Sequence, residues 1–99
     1  MEFIVFGYDG TDHGALDRRM AARTAHLEVV SSLKAAGMFL YGGAMLDDEG
    51  NMTGSVMVLD FPSEDDLREK WLNDEPFVIG NVWRKVEVRR FRPVDLSKI

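Results

Sequence analysis

Cysteine is absent from this chain of 99 residues. Its absence excludes disulfides, thiolate nucleophiles and thiolate metal sites, and fits a reducing compartment. Histidine is nearly absent too, with only His13 and His26, so any imidazole chemistry must come from one of two positions. The two are too far apart in sequence to form a metal-binding pair on one helix. Basic charge is in deficit, with 12 Lys and Arg against 17 Asp and Glu and a formal net charge of -5. That argues against a nucleic-acid partner held through its phosphates. No apolar run approaches the length of a membrane span. The N-terminal MEFIVFGYDG holds an apolar run too short for a signal sequence, with no basic residue ahead of it. A cytoplasmic protein without nucleic-acid or membrane partners is the expectation. Phosphate loop, nucleophile elbow and dinucleotide fingerprint are all missing. The acidic run Asp47, Asp48, Glu49 lacks the ligand spacing of a calcium loop and reads as a solvated hairpin tip. No metal site and no cofactor are expected.

What remains is ordinary for a soluble globular domain: 45% hydrophobic and 29% charged residues. The length suits one domain over residues 1–99, with one small core. Phe3 to Tyr8 reads as a strand apolar on both faces. DGTDHG is a turn, with Thr11 or Asp12 as cap of the next helix and His13 exposed in the loop. The spacing predicts a long helix from about Ala15 to Ala36, closed by Gly37 in the left-handed conformation. Met38 to Met45 is the second strand, interrupted at Gly42-Gly43. Ser55 to Phe61 is the third, stopped by Pro62. Ser63 caps a short helix that turns Leu67, Trp71 and Leu72 inward, and Asp74-Glu75-Pro76-Phe77 breaks it. Val82 to Phe91 is the fourth strand. Its alternation places Trp83 with Lys85, Glu87 and Arg89, and Val82 with Val86 and Val88. Neither face is cleanly apolar, as at a sheet edge. Arg84, Lys85, Arg89, Arg90 and Arg92 read as a solvated strand face.

The long helix carries the chemistry. Leu16, Met20, Leu27 and Val30 recur at helical spacing and are expected to face the core. At about 100° per residue, His26 projects between Leu33 and Val30, and Arg19 and Arg23 fall in the same arc. A histidine there either bonds a backbone carbonyl or acts as an acid/base at the mouth of a cavity. Its ordinary titration range suits the second role.

The order β-α-β-β-α-β predicts a ferredoxin-like α+β fold. Four antiparallel strands carry two helices on one face, and the uncovered apolar face is expected to pack against a second copy as a homodimer.

Several residues together resemble one family. They are Arg23-x-x-His26, Ala36-Gly37-Met38-x-x-x-Gly42-Gly43, Gly54-Ser55, Glu75-Pro76-Phe77 with Gly80, and Val86-Glu87-Val88-Arg89-x-Phe91. In this order they are similar to the YCII-related family of small dimeric α+β-barrel proteins. The resemblance implies a ferredoxin-like dimer with a His–carboxylate pair in a cleft. One branch of that family is a dehydrochlorinase of a chlorinated aromatic, and the fold is similar to muconolactone isomerase. The family histidine falls on His26. The family carboxylate is an aspartate directly before the proline, where this chain has Glu75, with Asp74 one residue earlier. Both are candidates for catalysis. Where the family often has proline after the glycine, this chain has Gly43-Ala44. Candidate ligand contacts are Arg23, Tyr41, Gly43, Ser55, Phe77 and Trp83.

Two function classes follow. One is a cofactor-free lyase or isomerase that moves a proton on a small metabolite, aromatic or otherwise compact, through a His–carboxylate dyad. The other is a non-catalytic dimeric module that binds a small ligand or serves an accessory role.

Overall fold

A computed structural model describes residues 1–99. Strand β1 is Glu2–Asp9, helix α1 Ala15–Ala35, β2 Phe39–Leu46 and β3 Met52–Asp60. Helix α2 spans Glu64–Lys70, a 3-10 turn Leu72–Asp74, α3 Pro76–Ile79 and β4 Trp83–Arg90, with a last 3-10 turn at Leu96–Lys98. All sheet neighbours are antiparallel, in the order β2-β3-β1-β4. The fold is ferredoxin-like α+β, as the element order predicts. No helix is long and apolar enough to cross a membrane.

The core lies between the sheet and the helices. Phe3 and Val5 of β1 and Met57 and Leu59 of β3 point into it, meeting Leu67, Trp71, Leu72 and Phe77. The alternate residues Ile4, Phe6, Tyr8 and Val56 occupy the other face and are only half-buried. The two-sided apolar strands therefore have one covered and one open face.

Local chemistry sets the boundaries. The long helix closes in a Schellman arrangement: Met38 N–H donates to the Leu33 carbonyl and Gly37 N–H to that of Lys34, with Gly37 at φ 75°. Its start differs from expectation. Gly14 holds the cap position, without a side-chain cap. Asp12 instead receives Gly14 N–H and a two-pronged bond from Arg18 at 2.8 and 2.6 Å. The Arg18 guanidinium holds the Asp12 carboxyl well below the usual carboxylate range. Strand β3 begins three residues earlier than expected, because Met52 and Gly54 pair with Leu46 and Met45. Ser63 caps α2 by accepting from Asp66 N–H. The stretch after it is no open turn: Pro76 starts the single-turn helix α3, where its missing N–H costs nothing.

Two expectations about facing are corrected. Leu16, Met20 and Leu27 are exposed; the residues of α1 turned inward are Arg19, His26 and, partly, Ala22, Val29 and Leu33. The helix carries two stripes, and the more apolar one is not the packed one. On β4, the register shifts where Tyr8 meets Lys85 and Asp9 meets Trp83, leaving Arg84 as an extra residue. Trp83 is thereby moved to the core side, with Val82 buried beside it. Its indole lies over Gly7, where a Cβ would fall 2.3 Å from Trp83 Cε2.

Candidate functional site

His26 leaves α1 toward α3 and the turn before it. Its Nδ1 lies 2.5 Å from Oε1 of Glu75. Glu75 is completely buried and caps α3, with Oε1 accepting from Phe77 N–H and Oε2 from the Trp71 indole N–H at 2.8 Å. With donors already on both carboxylate oxygens, the hydrogen of the short contact is assigned to Nδ1. His26 Nε2 makes no bond within the chain and is not sealed off, so it is the free, acceptor end of the ring. The imidazole lies flat on Phe77, centroids 4.0 Å apart and planes at 10°. Trp83 stands edge-on to both rings.

About two turns earlier on the same helix, Arg19 makes a second buried arrangement. Its Nη1 donates to Asp9 at 2.9 and 3.1 Å and its Nη2 to Ser55 Oγ at 2.9 Å. The guanidinium carbon sits 4.8 Å from the Phe77 centroid. Nε–H has no hydrogen-bond acceptor and is held within this packing. Trp83 Nε1 also donates to Ser55 Oγ, at 3.4 Å. Burial pushes the Asp9 carboxyl above its ordinary range, against the opposing pull of Arg19.

A cavity of about 240 Å³ separates α1 from β2 and β3. His26, Arg19, Arg23 and Leu27 line its helical side, Phe77 one end, and Ser55 and Met57 the sheet side. The small residues Gly42, Gly43 and Ala44 keep the β2 border open. This volume lies just below the usual range for drug-sized ligands and suits a compact molecule. Arg23 is exposed at the cavity and has no carboxylate partner in the chain.

Of the residues singled out from the sequence, His26, Glu75, Arg23, Gly43, Ser55 and Phe77 come together here. Trp83 stands behind Ser55 and does not line the cavity. Asp74 does not reach the imidazole. It is exposed on the 3-10 turn, which turns the residue before proline inward in its place. Tyr41 is 78% exposed and borders a different depression, with Val56 and Val58. His13 is an exposed loop residue. Sequence reasoning missed Asp9 and Trp71 as partners and left Arg19 without a role. The signal available for Arg19 was its place seven residues before His26, on the same side of the helix. No group of three or more His, Cys, Asp or Glu side chains could hold a metal ion.

Comparison with known proteins agrees with this architecture. The family model for the YCII-related domain matches residues 1–92. The chain belongs to the YCII-related family. Protein YciI of Escherichia coli O6:H1 is 28% identical over 100 residues, covering 95% of this chain and 99% of that protein, and YciI of Shigella flexneri matches to the same extent. Among solved structures, 5-chloro-2-hydroxyhydroquinone dehydrochlorinase (TftG) from Burkholderia phenoliruptrix AC1100, in complex with 2,5-dihydroxybenzoquinone, superposes with a TM-score of 0.79. It is 27% identical, and the match covers 93% of this chain and 94% of that one. A protein from Agrobacterium tumefaciens, 17% identical with a TM-score of 0.54, shares the fold. In this chain the residue directly before the proline is Glu75, whose carboxylate contacts the imidazole of His26.

Proposed function

We propose that this YCII-related protein is a cofactor-free lyase or isomerase acting on a small ring metabolite, with His26 as the proton-transfer group. The observation that carries this reading is the His26 imidazole at the cavity, its Nδ1 tied to buried Glu75 and its Nε2 free. Glu75 holds the tautomer and orientation and stabilises positive charge when Nε2 takes a proton. Arg23, unpaired at the same cavity, favours an anionic ligand. In the elimination form, acting on the keto tautomer of the ring, Nε2 removes a hydroxyl proton, the O–H electron pair forms a carbonyl, the ring π bond shifts, and halide leaves its sp3 carbon with the electrons of its bond. In the isomerase form, the proton returns to another atom of the ring. The similarity to a dehydrochlorinase supports the same class of chemistry.

The test is turnover of 5-chloro-2-hydroxyhydroquinone, followed by chloride release, together with deuterium exchange into hydroxyquinones followed by NMR. His26→Gln is expected to lower the rate on the order of 10²-fold or more, with an unchanged circular dichroism spectrum. Binding of such rings without chloride release or exchange would favour a non-catalytic ligand-binding module.

We further propose a homodimer formed through the open sheet face. Ile4, Phe6 and Val56 are half-buried there in a single chain, beside the exposed Tyr41 ring. A second copy would complete their burial. A cytoplasmic address belongs to the same reading, supported by the cysteine-free sequence.

A further inference from the structure

We propose that the Ser55 hydroxyl is a hydrogen-bond donor aimed into the cavity, and that the site therefore takes a ring bearing a carbonyl or phenolate oxygen. This rests on the reading of the cavity as a ligand site and adds which chemistry the ligand must present.

The argument is one of accounting for hydrogen-bonding capacity. A serine hydroxyl has one O–H and two acceptor lone pairs. Ser55 Oγ receives Arg19 Nη2–H at 2.9 Å and Trp83 Nε1–H at 3.4 Å, which occupies both pairs. Neither partner can accept in return, since guanidinium and indole N–H are donors only. Ser55 is 2% exposed and donates to nothing in the chain. The neighbouring carboxylate, Asp9, accepts from the other arm of Arg19 and receives no hydrogen bond from Ser55. The one unused capacity at this buried position is therefore the O–H, and Ser55 lines the cavity.

The direct bond from Arg19 strengthens this donor, because hydrogen bonds in a chain polarise one another and one member is charged. The cavity then has two poles of opposite demand. His26 Nε2 takes a proton, and Ser55 O–H needs an acceptor. Both are anchored to Phe77, one by ring stacking and the other through the Arg19 guanidinium over the same ring. A hydroxylated quinone, an enolisable cyclic ketone or a phenol satisfies both. Loss of its ring or hydroxyl proton places negative charge on an oxygen, where a preorganised donor is most effective.

The experiment compares two probes of similar ring size, 2,5-dihydroxybenzoquinone and p-xylene, titrated into the wild-type chain and into Ser55→Ala, with melting curves to confirm folding. The expected result is a roughly tenfold weaker Kd for the quinone in Ser55→Ala and an unchanged Kd for p-xylene. A purely structural serine would weaken both equally, and that result overturns the proposal, as does a wild-type chain that does not bind the quinone. Should Ser55→Ala fail to fold, Ser55→Cys replaces it. A smaller selective loss is expected there from the weaker S–H donor, and an unchanged quinone-to-xylene ratio overturns the proposal. Quinone binding that depends on Ser55 while His26→Gln leaves turnover intact would remove His26 from the chemistry and leave the Ser55 assignment standing.

Discussion

His26 and Glu75 lie 49 positions apart in the chain and 2.5 Å apart in space. The carboxylate is buried as completely as Leu59 and Leu67 of the core, so what it does to the imidazole is built into the packing.

Replacing Glu75 tests that relationship. In the wild type, 15N shifts of the His26 ring are expected to report the Nδ1–H tautomer. Glu75→Gln should give a mixture of tautomers and cost about 1–3 kcal/mol, because a buried acceptor for Trp71 and His26 is altered. Asp74→Asn, on the exposed turn, should change neither the ring shifts nor the urea midpoint.

Gly7→Ala tests the seating of Trp83. The added methyl would fall 2.3 Å from Cε2 of the indole. Overpacking of this kind costs about 1–3 kcal/mol. Chemical denaturation should show the loss, and tryptophan emission should shift as the indole moves away from Ser55.

Asp12 gives an acid-stability prediction. Its folded value is lowered by Arg18, so its ionised form favours the fold. That contribution is present above the ordinary value of 3.8 and is lost as the pH falls from there through the lowered value. Asp9, raised by burial, acts in the opposite sense, losing its contribution as pH rises through its own range. Urea midpoints between pH 3 and pH 5 should therefore fall less steeply with acid in Asp12→Asn than in the wild type. Parallel curves would contradict this.

Sedimentation equilibrium at micromolar concentration should give twice the chain mass of 11.2 kDa. Phe6→Glu, on the open sheet face, should return the mass to one chain with the fold retained. A well-folded wild-type monomer would contradict the dimer.

Most of the fold is legible in the sequence because it depends on local signals. Gly37 ends the long helix where its lack of a Cβ permits a positive φ, and Ser63 opens α2 for an equally local reason, whereas Pro76, read as a helix breaker, also starts the short helix α3. The site is only half legible. His26 stands out as a rare residue within an apolar arc, but its partner is chosen by the 3-10 turn that exposes Asp74 and buries Glu75. Asp9 and Arg19 meet only because β1 hands the chain to α1 through a particular loop. Leu16, Met20 and Leu27 mislead, since hydrophobic period marks a stripe on the helix without saying which neighbour covers it. Trp83 changes face through one extra residue, Arg84, a displacement that strict alternation does not represent.

Glu75, Pro76 and Phe77 are consecutive, and between them they hold the imidazole's partner, the start of α3 and the ring on which His26 lies. The consequence concerns how such a site can change over generations. A point substitution in this triplet alters one property, but inserting or deleting a single residue between Trp71 and Gly80 displaces all three together. Descendants of this chain should accordingly vary in length at the β2–β3 hairpin and at the C-terminal end long before they do so here.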